Sequence, residues 1–257
     1  MESLKGKTVF VTGASAGIGE AVAHAFAREG CDLLLAARRK ERIDALARLL
    51  ADTHGVKTHA FRLDVTKQRE VESALHALPG DWRRIDILVN NAGLSRGLAK
   101  IQEGEIRDWE EMIDTNIKGL LYVTRAVLPE MVKRNSGHVI NIGSIAGHQL
   151  YPGGNVYCAT KFAVNGLSQG MRLDLLGTDI RVTSVDPGMV RTEFSEVRFR
   201  GDRERARGAY ANFTPLTGED IAEVVVFCAT RPPHVDVAEV IVMPTGQASV
   251  NHIHRTA

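Results

Sequence analysis

Three features of the sequence predict one α/β domain built on a parallel sheet with helices on both faces. Short β-branched runs alternate with amphipathic helical stretches, some runs are apolar throughout, and a glycine-rich turn follows the first of them. A strand needs no polar face when helices cover the sheet from both sides. A single domain over residues 1–257 accounts for the length.

The elements follow in order. Thr8-Val9-Phe10-Val11 reads as the first strand, and Ile18, Ala21, Val22, Ala25 and Phe26 then recur at helical spacing up to a stop at Gly30. Leu33-Leu34-Leu35 is the second strand, and Ile43, Leu46, Ala47 and Leu50 mark one face of the next helix. A strand over 58–63 leads to a helix carrying Val71, Ala74, Leu75 and Leu78, which Pro79-Gly80 ends. Strands over 85–89 and 138–142 flank a long helical stretch from about Trp109 to Lys133. A helix with Ala159, Ala163, Val164, Leu167 and Met171 comes next, then a strand over 180–185. An irregular segment at about 188–217 is expected to carry the substrate. Beyond it, Thr217-x-x-Asp220 has the capping-box pattern ahead of Ile221, Val224, Val225 and Cys228, and Val240-Ile241-Val242 is the last strand. So connected, the strands make a Rossmann-type doubly wound seven-stranded parallel sheet. Right-handed crossovers then place a site at the carboxyl ends of the strands.

Composition excludes several function classes. A formal net charge of +1 provides no footprint for nucleic acid or an anionic membrane. No apolar run approaches the length of a membrane span, and the amino terminus lacks a signal-peptide core. Cys31, Cys158 and Cys228 have no metal-ligand spacing and read as reduced thiols, and His252 and His254 are too sparse for a metal site. A cytoplasmic enzyme without a metal is the expectation.

Thr12-Gly13-Ala14-Ser15-Ala16-Gly17-Ile18-Gly19 lies between the first strand and the first helix. Gly13, Gly17 and Gly19 permit a tight turn, and the backbone N–H groups near Ser15 and Ile18 then face a pyrophosphate at the helix N-terminus. Such glycines also serve plain turns; their place at the first strand–helix junction is what favours a nucleotide. The second strand ends in Ala36-Ala37-Arg38-Arg39, where an NAD site would carry an acid for the ribose hydroxyls. Guanidinium groups there suit a 2′-phosphate, which selects NADP, although Arg38, Arg39 and Lys40 also read as a solvated helix start. Cations at a helix N-terminus oppose the macrodipole, which again favours a bound anion. Asp64, with Val65 after the third strand, suits the adenine amino group or a cap for the next helix. Asn90-Asn91-Ala92-Gly93 follows the fourth strand, where Ala92 and Gly93 let a cofactor pass and an asparagine braces backbone.

Tyr157 and Lys161 stand at i and i+4 on one helical face, and Ser144 closes the strand before that helix. Hydride transfer to a carbonyl needs a proton for the developing alkoxide. A tyrosine with an ordinary pKa of about 10 is a poor acid–base group near neutrality, and a nearby ammonium moves it towards the working range. Ser144 is placed to hydrogen-bond the substrate oxygen. Asn116, polar in the apolar stripe of Met112, Ile113, Ile117 and Leu120, is placed to hold a water linking Lys161 to solvent. Each feature alone is commonplace, since such a Tyr–Lys pair is usually a surface pair and a buried asparagine a local helix distortion. Their conjunction at strand ends carries the reading.

The set formed by residues 12–19, 90–93, Asn116, Ser144, Tyr157/Lys161 and Pro187-Gly188 resembles the short-chain dehydrogenase/reductase family over essentially the whole chain. The resemblance implies Tyr157 as acid–base catalyst, Lys161 as pKa modulator and nicotinamide-ribose ligand, Ser144 as substrate-orienting group and Asn116 in the proton relay. It also implies that Pro187, Gly188, Val190 and Thr192 contact the nicotinamide carboxamide, and that the chain forms a homotetramer. Residues 108–116, 152–157, 192–199 and Met243-Pro244 are similar to the bacterial NADP-dependent 3-hydroxy acid dehydrogenases, which act on serine, L-allo-threonine or malonic semialdehyde, with sulfoacetaldehyde reductases close by. A small substrate bearing a carboxylate follows. Arg191, Arg198 and Arg200 are candidate partners for it, or else are solvated or paired with Glu193 and Glu196. The stretch 145–150 lacks an expected tryptophan before Tyr151-Pro152, which leaves the exact substrate open. A 3-oxoacyl or general ketone reductase, and a non-catalytic NADP sensor, are the competing readings.

Overall fold

In a computed structural model, which describes residues 2–256, seven strands form one parallel sheet of order β3-β2-β1-β4-β5-β6-β7. The strands are β1 (Thr8–Thr12), β2 (Asp32–Ala37), β3 (Thr58–Arg62), β4 (Ile87–Asn90), β5 (Gly137–Ile142), β6 (Ile180–Pro187) and β7 (Glu239–Val242). The helices are α1 (Gly17–Arg28), α2 (Lys40–His54), α3 (Gln68–His76), α4 (Ile106–Ile113), α5 (Leu120–Lys133), α6 (Asn155–Asp174), α7 (Phe194–Arg198), α8 (Arg203–Gly208) and α9 (Gly218–Ala229). The predicted fold class is the observed one.

Alternate residues of the central strands feed two cores. Val9, Val11, Leu33 and Leu35 pack beneath α1, α2 and α9, while Phe10, Leu34, Leu88 and Val139 pack against α3, α5 and Met171 of α6. All eight strand residues are buried, which is why these strands carry no polar face. The Thr217–Asp220 capping box forms as its spacing predicts. The Thr217 Oγ1 accepts from Asp220 N at 3.3 Å, and the Asp220 carboxylate accepts from Thr217 N at 2.7 Å.

Several boundaries differ from the sequence reading, and the segment read as irregular carries the short helices α7 and α8. The long helix begins at Ile106 and contains a π-helical stretch, Asp114–Gly119, between α4 and α5. A methyl group on Gly119 would come within 2.8 Å of Val65, so the glycine lets this wide turn seat against the strand ends. Leu78 lies beyond the end of α3 yet stays buried, packed in the same cluster as Val71 and Ile85. The order of strands reverses between β1 and β4, which opens a crevice at their carboxyl ends.

Candidate active site

A cavity of about 380 Å³ opens at that crevice. From the glycine turn it takes Gly13, Ser15, Gly17 and Ile18, and from the end of β2 Arg38 and Arg39. Asp64 and Val65 line it after β3, and Asn91, Ala92 and Gly93 after β4. Ser144, Tyr157 and Lys161 form the far end, with Pro187, Gly188, Val190 and Thr192 along the side. Two of the residues singled out from sequence, Gly19 and Asn116, lie behind the lining.

Gly19 underlies the turn. A Cβ there would meet Asn91 Nδ2 at 2.4 Å and the Gly13 carbonyl at 2.5 Å. Asn91 occupies that space because its amide donates to the carbonyls of Thr12 at 3.0 Å and Gly13 at 3.2 Å, tying the end of β4 to the turn. The N-cap of α1, Ala16, supplies no side-chain hydrogen bond, so the first N–H groups of the helix are left for a ligand. A dinucleotide carrying phosphates fits this donor set: bare N–H groups face the turn, and two arginines follow 20 residues on. Arg39 donates to Ser15 Oγ at 3.1 Å and to a carboxylate of Glu193 at 2.7 Å; Arg38 makes no side-chain hydrogen bond among the described residues. Asp64 accepts from Thr66 N and Oγ1 at 3.1 and 2.8 Å. It shapes the turn before α3, whose N-cap is Lys67, and so is not that helix's cap.

At the chemical end, Tyr157 and Lys161 occupy the first two turns of α6 and are both buried. Lys161 Nζ lies 6.0 Å from the centre of the Tyr157 ring and donates to the Ile142 carbonyl at 2.8 Å. Burial pushes Lys161 down to about 8, and the buried Asp186 carboxylate opposes that fall. Burial pushes the Tyr157 phenol above its ordinary value; the Arg198 guanidinium and the Ser144 hydroxyl pull it back. Two cations thus lie near the phenol, Lys161 and also Arg198, 5.4 Å from the ring centre, which sequence spacing did not place there. Ser144 accepts from Ala146 N at 3.1 Å, which starts a short 3₁₀ turn and holds the hydroxyl at the strand end.

Asn116 is held by its side-chain amide. Its Oδ1 accepts from Leu94 N at 2.9 Å, and its Nδ2 donates to Leu94 O at 2.8 Å and Thr160 Oγ1 at 3.0 Å. Thr160 in turn donates to Tyr157 O at 2.7 Å. Both amide donors thus brace the loop after β4 against α6.

The three candidate arginines separate clearly. Arg200 is bound by Asp108 and lies 3.5 Å from Glu111, and Arg191 is exposed. Arg198 is half-buried and donates to Ser95 Oγ at 3.0 Å and Tyr151 Oη at 2.9 Å, with no carboxylate partner among the described residues. It lies over Phe194 and Tyr157, whose rings are 5.6 Å apart, in an apolar cluster with Leu94, Met112 and Val197. Behind Ser144 and Lys161, His148 Nε2 sits 2.8 Å from Asp186 and 3.1 Å from Glu239. Sequence reasoning missed this cluster, the Tyr151–Arg198 pair and the Glu193 ion pairs, because each joins residues far apart in the chain.

The sequence profile of a family described as short chain dehydrogenase matches residues 7–202. The chain is 50% identical over 250 residues to an NADP-dependent 3-hydroxy acid dehydrogenase of Salmonella typhi, covering 96% of this chain and 99% of the relative. A protein of that same description from Schizosaccharomyces pombe is 43% identical over 256 residues, covering 99% of each. Among solved structures, a closed form of serine dehydrogenase complexed with NADP+ superposes with a TM-score of 0.90 at 47% identity, covering 97% of this chain and 100% of that one.

Proposed function

Because the chain belongs to the short-chain dehydrogenase family, we propose that it is an NADP(H)-dependent oxidoreductase that interconverts a small 3-hydroxy acid and its carbonyl partner. The observation that carries the reading is a buried tyrosine at the end of a nucleotide-sized cleft, with an arginine lacking a carboxylate partner stacked over its ring. NADP(H) supplies or accepts the hydride when bound. The glycine turn and the N-terminus of α1 would hold its pyrophosphate, Arg38 and Arg39 its 2′-phosphate, and Asp64 and Val65 its adenine. Asn91 to Gly93, Lys161, and the segment from Pro187 to Thr192 would hold the nicotinamide half.

Tyr157 takes the hydroxyl proton of the alcohol in oxidation and returns it to the developing alkoxide in reduction. Ser144 positions the reacting oxygen by a hydrogen bond. Lys161 holds positive charge beside the phenol, and Asn116 keeps Leu94 and the first turn of α6 in register around it. Residues 188–217 form the substrate-bearing part of a single domain over 1–257. Arg198 is placed to receive the substrate carboxylate by charge-assisted hydrogen bonds, and Phe194, Val197 and Leu94 to cover the short carbon chain. A cytoplasmic homotetramer completes the reading. No helix among the described residues is long and apolar enough to cross a membrane, and α5 and α6 expose Leu121, Val132, Phe162 and Leu173.

The test is a cofactor-by-substrate panel followed at the nicotinamide absorbance. NADP and NAD are each offered with L-serine, L-allo-threonine, 3-hydroxypropionate and its methyl ester, and NADPH with malonic semialdehyde, sulfoacetaldehyde and simple ketones. Turnover of the acids with NADP is expected. In an Arg198→Met variant, the ratio of kcat/KM for the acid to that for the ester should fall about 10- to 100-fold, as loss of a hydrogen bond to a charged group implies. Activity confined to neutral ketones would make the protein a general carbonyl reductase. Binding of NADPH without any turnover would point to a sensor.

A further inference from the structure

Glu193 opens the segment that carries α7, yet its carboxylate faces the cofactor half of the cleft. It accepts from Arg39 Nη1 at 2.7 Å and from Arg42 Nη1 at 2.6 Å. The preceding residue, Thr192, lies on Gly17, where a Cβ would approach the threonine side chain to 2.9 Å. Arg39 also donates to Ser15 Oγ in the glycine turn at 3.1 Å. One short stretch of the substrate segment therefore straps the glycine turn, the end of β2 and the first turn of α2 together. Burial opposes ionisation of Glu193, but hydrogen bonds from Arg42 and Arg39 outweigh it and hold the carboxyl below its ordinary value. The carboxylate is the only anion at the Arg38–Arg39 corner among the described residues that bonds either guanidinium.

On the reading that Arg38 and Arg39 receive a 2′-phosphate, we propose that Glu193 is the internal competitor of that phosphate and so a determinant of cofactor discrimination. A phosphate monoester carries more charge and more acceptor oxygens than a carboxylate, and it draws Arg39 away. Arg42 retains Glu193 when that happens, so the strap shifts without losing its anchor. A cofactor lacking the 2′-phosphate has nothing to offer Arg39 and leaves the ion pair closed. The Arg39–Glu193 pair is 40% exposed on both sides, so competition is modest, of the order of the worth of a surface ion pair.

The experiment compares wild type with Glu193→Gln in direct binding. NADPH and NADH are titrated by nicotinamide fluorescence, and 2′,5′-ADP and 5′-ADP by calorimetry. Glu193→Gln should bind NADPH and 2′,5′-ADP about 2- to 5-fold more tightly, and NADH and 5′-ADP with unchanged affinity. Equal or weaker binding of 2′,5′-ADP would overturn the competition and make Glu193 an organiser of the arginines. Equal gains for the ligands without a 2′-phosphate would overturn it too, as a general loosening of the strap. A wild-type protein that does not prefer 2′,5′-ADP to 5′-ADP would sink the assignment of Arg38 and Arg39 itself, whatever the variant does. As a check on folding, Glu193→Asp should retain wild-type discrimination, since it keeps the charge at that position.

Discussion

At the scale of single residues, the site works against the stability of the fold. Lys161 is buried and its ammonium is held down to about 8 by that burial, against an ordinary 10.5. The charged form is therefore disfavoured in the folded state by at most roughly 3 kcal/mol, and the hydrogen bond to the Ile142 carbonyl opposes that penalty. The pKa is lowered on folding, so the lysine's penalty is full below pH 8 and disappears as pH rises towards 10.5. Lys161→Met removes the charge and also leaves the Ile142 carbonyl without its donor, a loss of about 1–3 kcal/mol. The difference in unfolding free energy between variant and wild type should consequently favour the variant most at pH 7 and shrink by pH 10. Urea unfolding at the two pH values measures it, and a pH-independent difference would contradict a depressed lysine. Arg198 illustrates the same scale from the other direction, since its guanidinium opposes the effect of burial on the Tyr157 phenol.

At the scale of elements, local signals and long-range packing divided the work. The Thr217 capping box was legible because both partners lie within four residues, and its geometry is set by the first turn of a helix. Thr217→Ala should destabilise the protein by about 1 kcal/mol, a fall in Tm of about 2–4 °C in a domain of this size, read by thermal unfolding. The effect reaches the core because α9 packs Ile221, Val225 and Cys228 into the cluster shared with α1. The π-helical turn at Asp114–Gly119 was not legible: its residues continue the apolar stripe of an ordinary helix, and the close seat of Gly119 against Val65 is a tertiary contact. Asn116 follows from that turn. Its amide faces Leu94 and Thr160, partners 22 and 44 residues away in sequence that no periodicity reveals.

At the scale of the whole molecule, the exposed Leu121, Val132, Phe162 and Leu173 on α5 and α6, and Phe227 and Ile241 at the β7 end, are expected to be covered in a tetramer. Sedimentation velocity should give four times the mass of one chain, 28.1 kDa; a monomer would remove that part of the reading. The fold and the placing of the cleft were legible in the sequence because they rest on short-range physics. Hydrophobic period sets each strand and helix, right-handed crossovers order them, and glycines at a strand–helix turn mark where a helix N-terminus meets a ligand. Tyr157, Lys161 and Ser144 were legible for the same reason, since helical spacing and strand ends are local properties. Tertiary structure alone decided which charges meet: Arg198 beside the Tyr157 phenol, Arg200 bound to Asp108, and Glu193 on Arg39 and Arg42 across more than 150 residues of chain. Electrostatic partnership depends on distance and burial in three dimensions, and neither is a function of separation along the chain.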